Sequence, residues 1–90
     1  MSSYPVSAIP EEVAGVDARY LDARGLTCPM PVIELAKVVD EIAVGEQVRL
    51  AATDLSARVD VPVWCRMRRQ KLHATAESDG VWWFLIERAH

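Results

Sequence analysis

Ninety residues, 51% of them hydrophobic, suffice for one small domain with an apolar core and leave no room for two. Ten basic against thirteen acidic residues give a formal net charge of −3, which argues against nucleic acid as a general partner and leaves only local RNA contact open. The two cysteines, Cys28 and Cys65, make neither a disulfide framework nor a metal-ligand pattern, and no apolar run approaches the ~20 residues a membrane span needs, so a soluble protein of the reducing cytoplasm is expected.

Residues 1–17 hold Pro5, Pro10, Gly15 and three serines without sustained periodicity, and are expected to form a flexible leader outside the fold, docking at most locally through Tyr4 or Ile9. Residues 18–90 then make the domain. Residues 18–23 alternate, with Tyr20 and Asp22 on one side and Leu21 and Ala23 on the other, which predicts a short strand. It leads into Gly25-Leu26-Thr27-Cys28-Pro29-Met30-Pro31-Val32, where Gly25 can take positive φ and Thr27 can hydrogen-bond beside the thiol.

Proline is tolerated in the first turn of a helix, so Pro29 marks a helix start at N1 with Cys28 near the N-cap. The positive end of a helix stabilises an anion, which predicts a lowered thiol pKa at Cys28 and a nucleophilic sulfur. With Pro29 and Pro31 both lacking an N–H, Met30 is the remaining first-turn donor for that sulfur, so the shift should be moderate. A moderate pKa suits a thiol that first attacks another sulfur and later surrenders its cargo. The spacing equally fits a small buried cysteine beside a proline-started helix.

From Pro29 to about Ile42, Val32, Leu35, Ala36, Val39 and Ile42 recur at helical steps opposite Glu34, Lys37 and Glu41, giving an amphipathic helix that stops near Gly45. Residues 46–53 read as a strand with Val48, Leu50 and Ala52 inward. The strand–helix–strand unit should be parallel, with the Cys28 loop at the carboxyl edge where sites gather. In the second helix, either Asp54 or Ser56 is the cap and Pro62 lies inside, or Asp60 is the cap and Pro62 sits in the first turn. Val61, Trp64 and Cys65 fall on its core side.

Arg66, Arg68, Arg69 and Lys71 cluster at the end of that helix, either as capping and solubilising charge or as a docking surface for an acidic partner or an anionic sulfur species. Residues 71–77 place Leu72, Ala74 and Ala76 on one face, and Ser78-Asp79-Gly80 signals a hairpin turn into residues 81–88. There Trp82, Phe84 and Ile86 alternate with Trp83 and Leu85. Trp83 and Leu85 form a partner-binding surface unless the leader or a helix end covers them.

The stretch from Leu21 to Val32, with its Cys-Pro-x-Pro motif, resembles the signature of the TusA/SirA-like sulfur carriers. Thr53-Asp54 with Asp60-Val61-Pro62-Val63-Trp64-Cys65 resembles the family's second motif, and Phe84 with Ile86 its closing strand. The likeness spans roughly residues 19–88 and departs at Arg69-Gln70, where the family commonly has Gly-His, and at Met30, a position often acidic. It implies a βαβαββ two-layer α/β (α+β) sandwich, a mixed four-stranded sheet with both helices on one face, as the element order also predicts.

The resemblance further implies that Cys28 is the catalytic residue, carrying sulfane sulfur as a persulfide, with Gly25, Pro29 and Pro31 as motif support. No cofactor or metal beyond that covalent sulfur is expected. The implied donor is a cysteine desulfurase or a rhodanese and the implied acceptor a protein with a reactive cysteine, serving tRNA thiolation, cofactor sulfuration or sulfur metabolism. Two other readings remain: a regulatory or protein-interaction module of the same fold without sulfur transfer, and a thiol redox protein pairing Cys28 with Cys65 or cycling it with peroxide.

Overall fold

In the computed structural model, which describes residues 9–90, the order is β1 (Arg19–Ala23), α1 (Met30–Glu41), β2 (Gln47–Ala52), α2 (Ala57–Met67), β3 (Lys71–Ser78) and β4 (Val81–Glu87). One 3-10 turn, Glu11–Val13, precedes them. The sheet runs β1-β2-β4-β3, with β1 and β2 parallel and β4 antiparallel to both neighbours, an open mixed α+β sheet of the expected βαβαββ order.

Strand alternation gives the sheet two apolar faces. On one, Leu35, Val38 and Val39 of α1 and Ala57, Val61 and Cys65 of α2 pack on Ala23, Val48, Leu50, Ala52, Phe84 and Ile86, so both helices share that face. Val38 joins the buried stripe of α1, whereas Ala36, expected there, is only half-buried. Phe84 and Ile86 in β4 are buried side chains worth about 1.5–3 kcal/mol each.

The second face corrects the placement of the leader and selects between the two readings of Trp83 and Leu85. Val81, Trp83 and Leu85 of β4, with Ala51, are covered by Val13, which is fully buried, and by Ile9, Ala18 and Tyr20 at the rim. Residues 9–17, expected as a leader outside the fold, thus pack as a strap, and Trp83 and Leu85 are buried rather than a partner-binding surface. Tyr4 lies outside the described residues. The strap is held by Arg49, which donates from Nε to Val13 O at 2.6 Å and from Nη2 to Val16 O at 2.8 Å. Placing this cation on the strap side of β2 satisfies two carbonyls that no ladder reaches.

β3 also differs from its predicted pattern. Leu72 pairs with Ile86 and Ala74 with the next residue, Leu85, so His73 is the extra residue of a β-bulge. The bulge reverses the faces: Leu72 packs with the helices, while Ala74 and Ala76 turn to the strap side. The hairpin follows its turn signal, with Asp79 (φ 51°) and Gly80 (φ 79°) between the paired Ser78 and Val81, as a type I′ turn requires.

Two helix termini are informative. α2 follows the first of its two readings: Ser56 is the N-cap, Pro62 lies inside the helix, and its missing N–H removes the ladder bond to Arg58 O. At the other end Gln70 N–H donates to Cys65 O (2.9 Å) and Arg69 N–H to Arg66 O (3.3 Å), a Schellman closure with Arg69 at φ 57°. That left-handed position favours glycine, which is the physical sense of the Gly-His pattern from which Arg69-Gln70 departs. Gln70 instead uses its side chain, whose Oε1 accepts from Ala89 N–H at 2.7 Å.

Candidate functional site

Because β1 and β2 are parallel, the loops that follow them leave the same edge of the sheet, and two hydrogen bonds join them. Gly25 N–H donates to Thr53 Oγ1 at 2.8 Å, and Cys28 N–H donates to Asp54 Oδ2 at 2.6 Å. Asp54 Oδ1 accepts from Ser56 N–H at 3.2 Å, so one carboxylate ties the Cys28 loop to the start of α2. These N–H donors hold Asp54 below the usual carboxylate range, that of Cys28 contributing most. Gly25 turns the chain at φ 82°, a conformation that a side chain there would strain. Arg24 clamps back on Asp22, from Nε at 2.7 Å and Nη2 at 2.8 Å.

The helix starts one residue later than expected. Pro29 is the N-cap of α1, Met30 its first residue and Pro31 its second, while the Cys28–Pro29 peptide is cis. Met30 N–H donates to Thr27 O at 2.8 Å and not to the sulfur. The exposed Cys28 thiol instead points to α2, donating from Sγ to Asp60 Oδ2 at 3.2 Å.

The protonation of Cys28 is therefore opposite to the expectation drawn from the helix end. The Asp60 carboxylate beside Sγ raises the thiol pKa, with some desolvation and the charge of Asp54 adding to it, while the Ser56 hydroxyl pulls weakly the other way. An anion at hydrogen-bond distance outweighs a helix terminus that has proline at its N-cap and again at its second residue.

Cys28 stands at the mouth of a groove of about 300 Å³ lined by Pro29, Val32, Asp60, Val63, Trp64 and Met67. Asp60, Val63, Trp64 and Met67 recur on one stripe of α2, so the groove runs along that helix. Met67 in its lining is 74% exposed, an apolar side chain left open to water. Trp64, expected in the core, is half-buried and divides its surface between core and groove.

Cys65 is buried behind the same helix, and desolvation pushes its thiol up to about 11, which leaves it an apolar packing group. The basic residues Arg66, Arg68, Arg69 and Lys71 are all exposed, at the opposite end of α2 from Asp60; Lys71 Nζ lies 3.7 Å from Glu87. His73 Nε2 bonds the same carboxylate at 2.7 Å, and His90 Nε2 meets Arg68 O at 3.1 Å. No cluster of His, Cys, Asp and Glu among the described residues could hold a metal ion.

The structure thus brings Gly25, Cys28, Pro29 and Pro31 together in the β1–α1 loop and the helix start, and adds Asp54, Ser56 and Asp60 to the thiol's surroundings; sequence reasoning gave these three capping roles and placed Asp54 and Asp60 in the second motif, with no contact to Cys28. They approach Cys28 across 26 to 32 positions, so no local pattern connects them. Two signals were available: the parallel β1–β2 pair, which sends both following loops to one edge, and the second motif, which holds Asp54 and Asp60.

Fold and site define a class: a small α+β sandwich that presents a single accessible thiol, framed by two prolines, at the carboxyl edge of its parallel strands. The family model described as Sulfurtransferase TusA matches residues 19–88, and the chain belongs to this family of sulfur carriers. It is 40% identical over 68 residues to the sulfur carrier protein TusA of Pseudomonas entomophila, covering 76% of this chain and 85% of that one. A putative sulfur carrier protein of Archaeoglobus fulgidus is 29% identical over 68 residues, 76% of this chain and 93% of the relative. Among solved structures, a SirA-like protein from Desulfitobacterium hafniense superposes with a TM-score of 0.70 at 25% identity, covering 79% of this chain and 97% of that one.

Proposed function

We propose that this protein relays sulfane sulfur on Cys28. The Cys28 sulfur attacks the outer sulfur of a donor persulfide, the donor S–S bond breaks, and the donor leaves as a thiol; Cys28–S–SH then passes its outer sulfur to an acceptor cysteine by the same displacement. The sulfur is cargo held covalently, with no other cofactor. The observation that carries this reading is the division between the two thiols: Cys28 is exposed at the mouth of an apolar groove, while Cys65 is buried and protonated.

The donor is a protein of the cysteine desulfurase or rhodanese kind and the acceptor a protein with a reactive cysteine, in the cytoplasm, serving tRNA thiolation, cofactor sulfuration or sulfur metabolism. The apolar groove, with the exposed Met67 in its lining, gives such partners an apolar contact beside the sulfur, and the exposed Arg66, Arg68, Arg69 and Lys71 offer a second, electrostatic one. Among the described residues no helix is long and apolar enough to cross a membrane.

The test follows isotope-labelled sulfur from cysteine through a desulfurase to this protein and on to an acceptor thiol, in wild type and Cys28→Ser. Label passing through wild type and stopping in the variant supports the relay. Partner binding that survives in Cys28→Ser, with no label on either protein, would instead identify an interaction module.

A further inference from the structure

Two carboxylates face the reacting sulfur from the loop after β2 and from α2. Asp60 Oδ2 accepts the Sγ proton at 3.2 Å, and Asp54 is held by the Cys28 and Ser56 N–H groups with its charge close to the thiol. The Ser56 hydroxyl is the opposing donor, and Arg24, the nearest basic residue in the loop, is engaged with Asp22. A nucleophile built only for speed would place a cation or N–H groups there. This loop does the reverse: the Cys28 N–H goes to Asp54 and the Met30 N–H to Thr27 O, and Asp60 meets the sulfur from the wall of the groove.

We propose that Asp60 is a catalytic residue acting as a latch on Cys28: it retains the Sγ proton while the groove is unoccupied, and releases it when a cationic side chain of the sulfur donor neutralises the carboxylate. The transfer step rests on the carrier reading above and balances without any oxidant. The Cys28 Sγ–H bond breaks and a Cys28 S–S bond forms, the donor S–S bond breaks, and the proton that Sγ gives up to water is matched by one that the departing donor sulfur takes from water. The outer sulfur changes owner and nothing is oxidised. Between encounters the sulfur stays a thiol, which resists adventitious oxidation and alkylation because the thiolate is the reactive form.

The latch predicts a sulfur that favours positively charged reagents. Wild type, Asp60→Asn and Asp60→Glu are compared in two assays: the pH profile of Cys28 alkylation by uncharged iodoacetamide, and the rates of mixed-disulfide formation with cationic aminoethyl and anionic sulfonatoethyl methanethiosulfonate. In the second reaction Cys28 thiolate takes the thioalkyl group and methanesulfinate leaves. Asp60→Asn should move the alkylation midpoint to lower pH, speed alkylation at neutral pH several-fold, and narrow the cation-over-anion preference; Asp60→Glu should restore the wild-type order.

An Asn variant with an unmoved midpoint and an unchanged preference would overturn the latch. A wild-type preference no larger than that of free glutathione, or one indifferent to added salt, would overturn it without any variant. Neither assay loads sulfane sulfur, so a charge-selective Cys28 that never accepts a persulfide sulfur would refute the carrier reading and leave the latch standing. A loading thiol insensitive to Asp60 would do the opposite.

Discussion

The backbone N–H of Cys28 donates to the Asp54 carboxylate at 2.6 Å, joining the loop after β1 to the loop after β2. This bond sets the height of the thiol above the sheet edge, because the carboxylate that accepts it is itself fixed by Ser56 N–H. Asp54→Ala should therefore loosen the Cys28 loop and slow sulfur loading while leaving the helical content unchanged. The Asp54 carboxyl titrates below the usual range in the folded protein, so its contribution is present above the ordinary aspartate value and is lost as pH falls through the lowered one. Melting curves of wild type and Asp54→Asn should differ at neutral pH and converge in strong acid.

Arg69 closes α2 at φ 57°, a conformation that costs a non-glycine residue roughly 1–2 kcal/mol. Arg69→Gly removes that strain, offset partly by the greater freedom of glycine in the unfolded chain. A gain of about 1 kcal/mol is expected, which for a domain of this size raises Tm by roughly 4–8 °C. Urea and thermal unfolding check it.

Arg49 is only 9% exposed and satisfies the carbonyls of Val13 and Val16. Replacing it by methionine keeps the stem and leaves two carbonyls without their donor, at a cost of about 2 kcal/mol. The strap should then open locally before the sheet does, so acrylamide should quench Trp83 more readily in Arg49→Met while Cys28 reactivity stays at the wild-type level. An equally protected Trp83 would mean that the strap is held by its apolar contacts alone.

Burial pushes the Cys65 thiol up to about 11, against an ordinary value near 9. Above the ordinary value the unfolded chain releases the proton and the folded one keeps it, so the stability associated with the neutral thiol is complete below about pH 9 and is lost as pH rises towards 11. Cys65→Ala should abolish this alkaline slope, lower stability at neutral pH by about 1 kcal/mol through the small void left, and load sulfur normally. Loss of loading in that variant would favour a redox pair of the two cysteines.

Much of the architecture could be read from local patterns. The period-2 alternation of β4, the Asp79-Gly80 turn and the apolar stripe of α1 each depend on neighbours a few residues apart, and each stands close to where the sequence puts it. What escaped depends on long-range pairing. Val13 covers Trp83 from the far end of the chain, so the apolar excess of β4 looked like an exposed surface. The bulge at His73 turns Ala74 and Ala76 away from Leu72, and nothing in the alternation of that strand announces it.

The site shows the same division more sharply. Cys28 and its two prolines were visible as a motif, but the direction of its pKa shift was not, because Asp60 comes from a different helix 32 positions away. A helix-terminus argument weighs only the near groups. One carboxylate at 3.2 Å reverses it.

The central claim, that Cys28 is the atom on which sulfur travels, is tested most directly by intact-protein mass spectrometry. Wild type, Cys28→Ser and Cys65→Ser are incubated with a cysteine desulfurase and L-cysteine without reductant, and in parallel with a rhodanese and thiosulfate. The account predicts a gain of one sulfur atom, removed by reductant, in wild type and Cys65→Ser but not in Cys28→Ser. Equal gain in Cys28→Ser, or no gain by wild type with either donor, would contradict it.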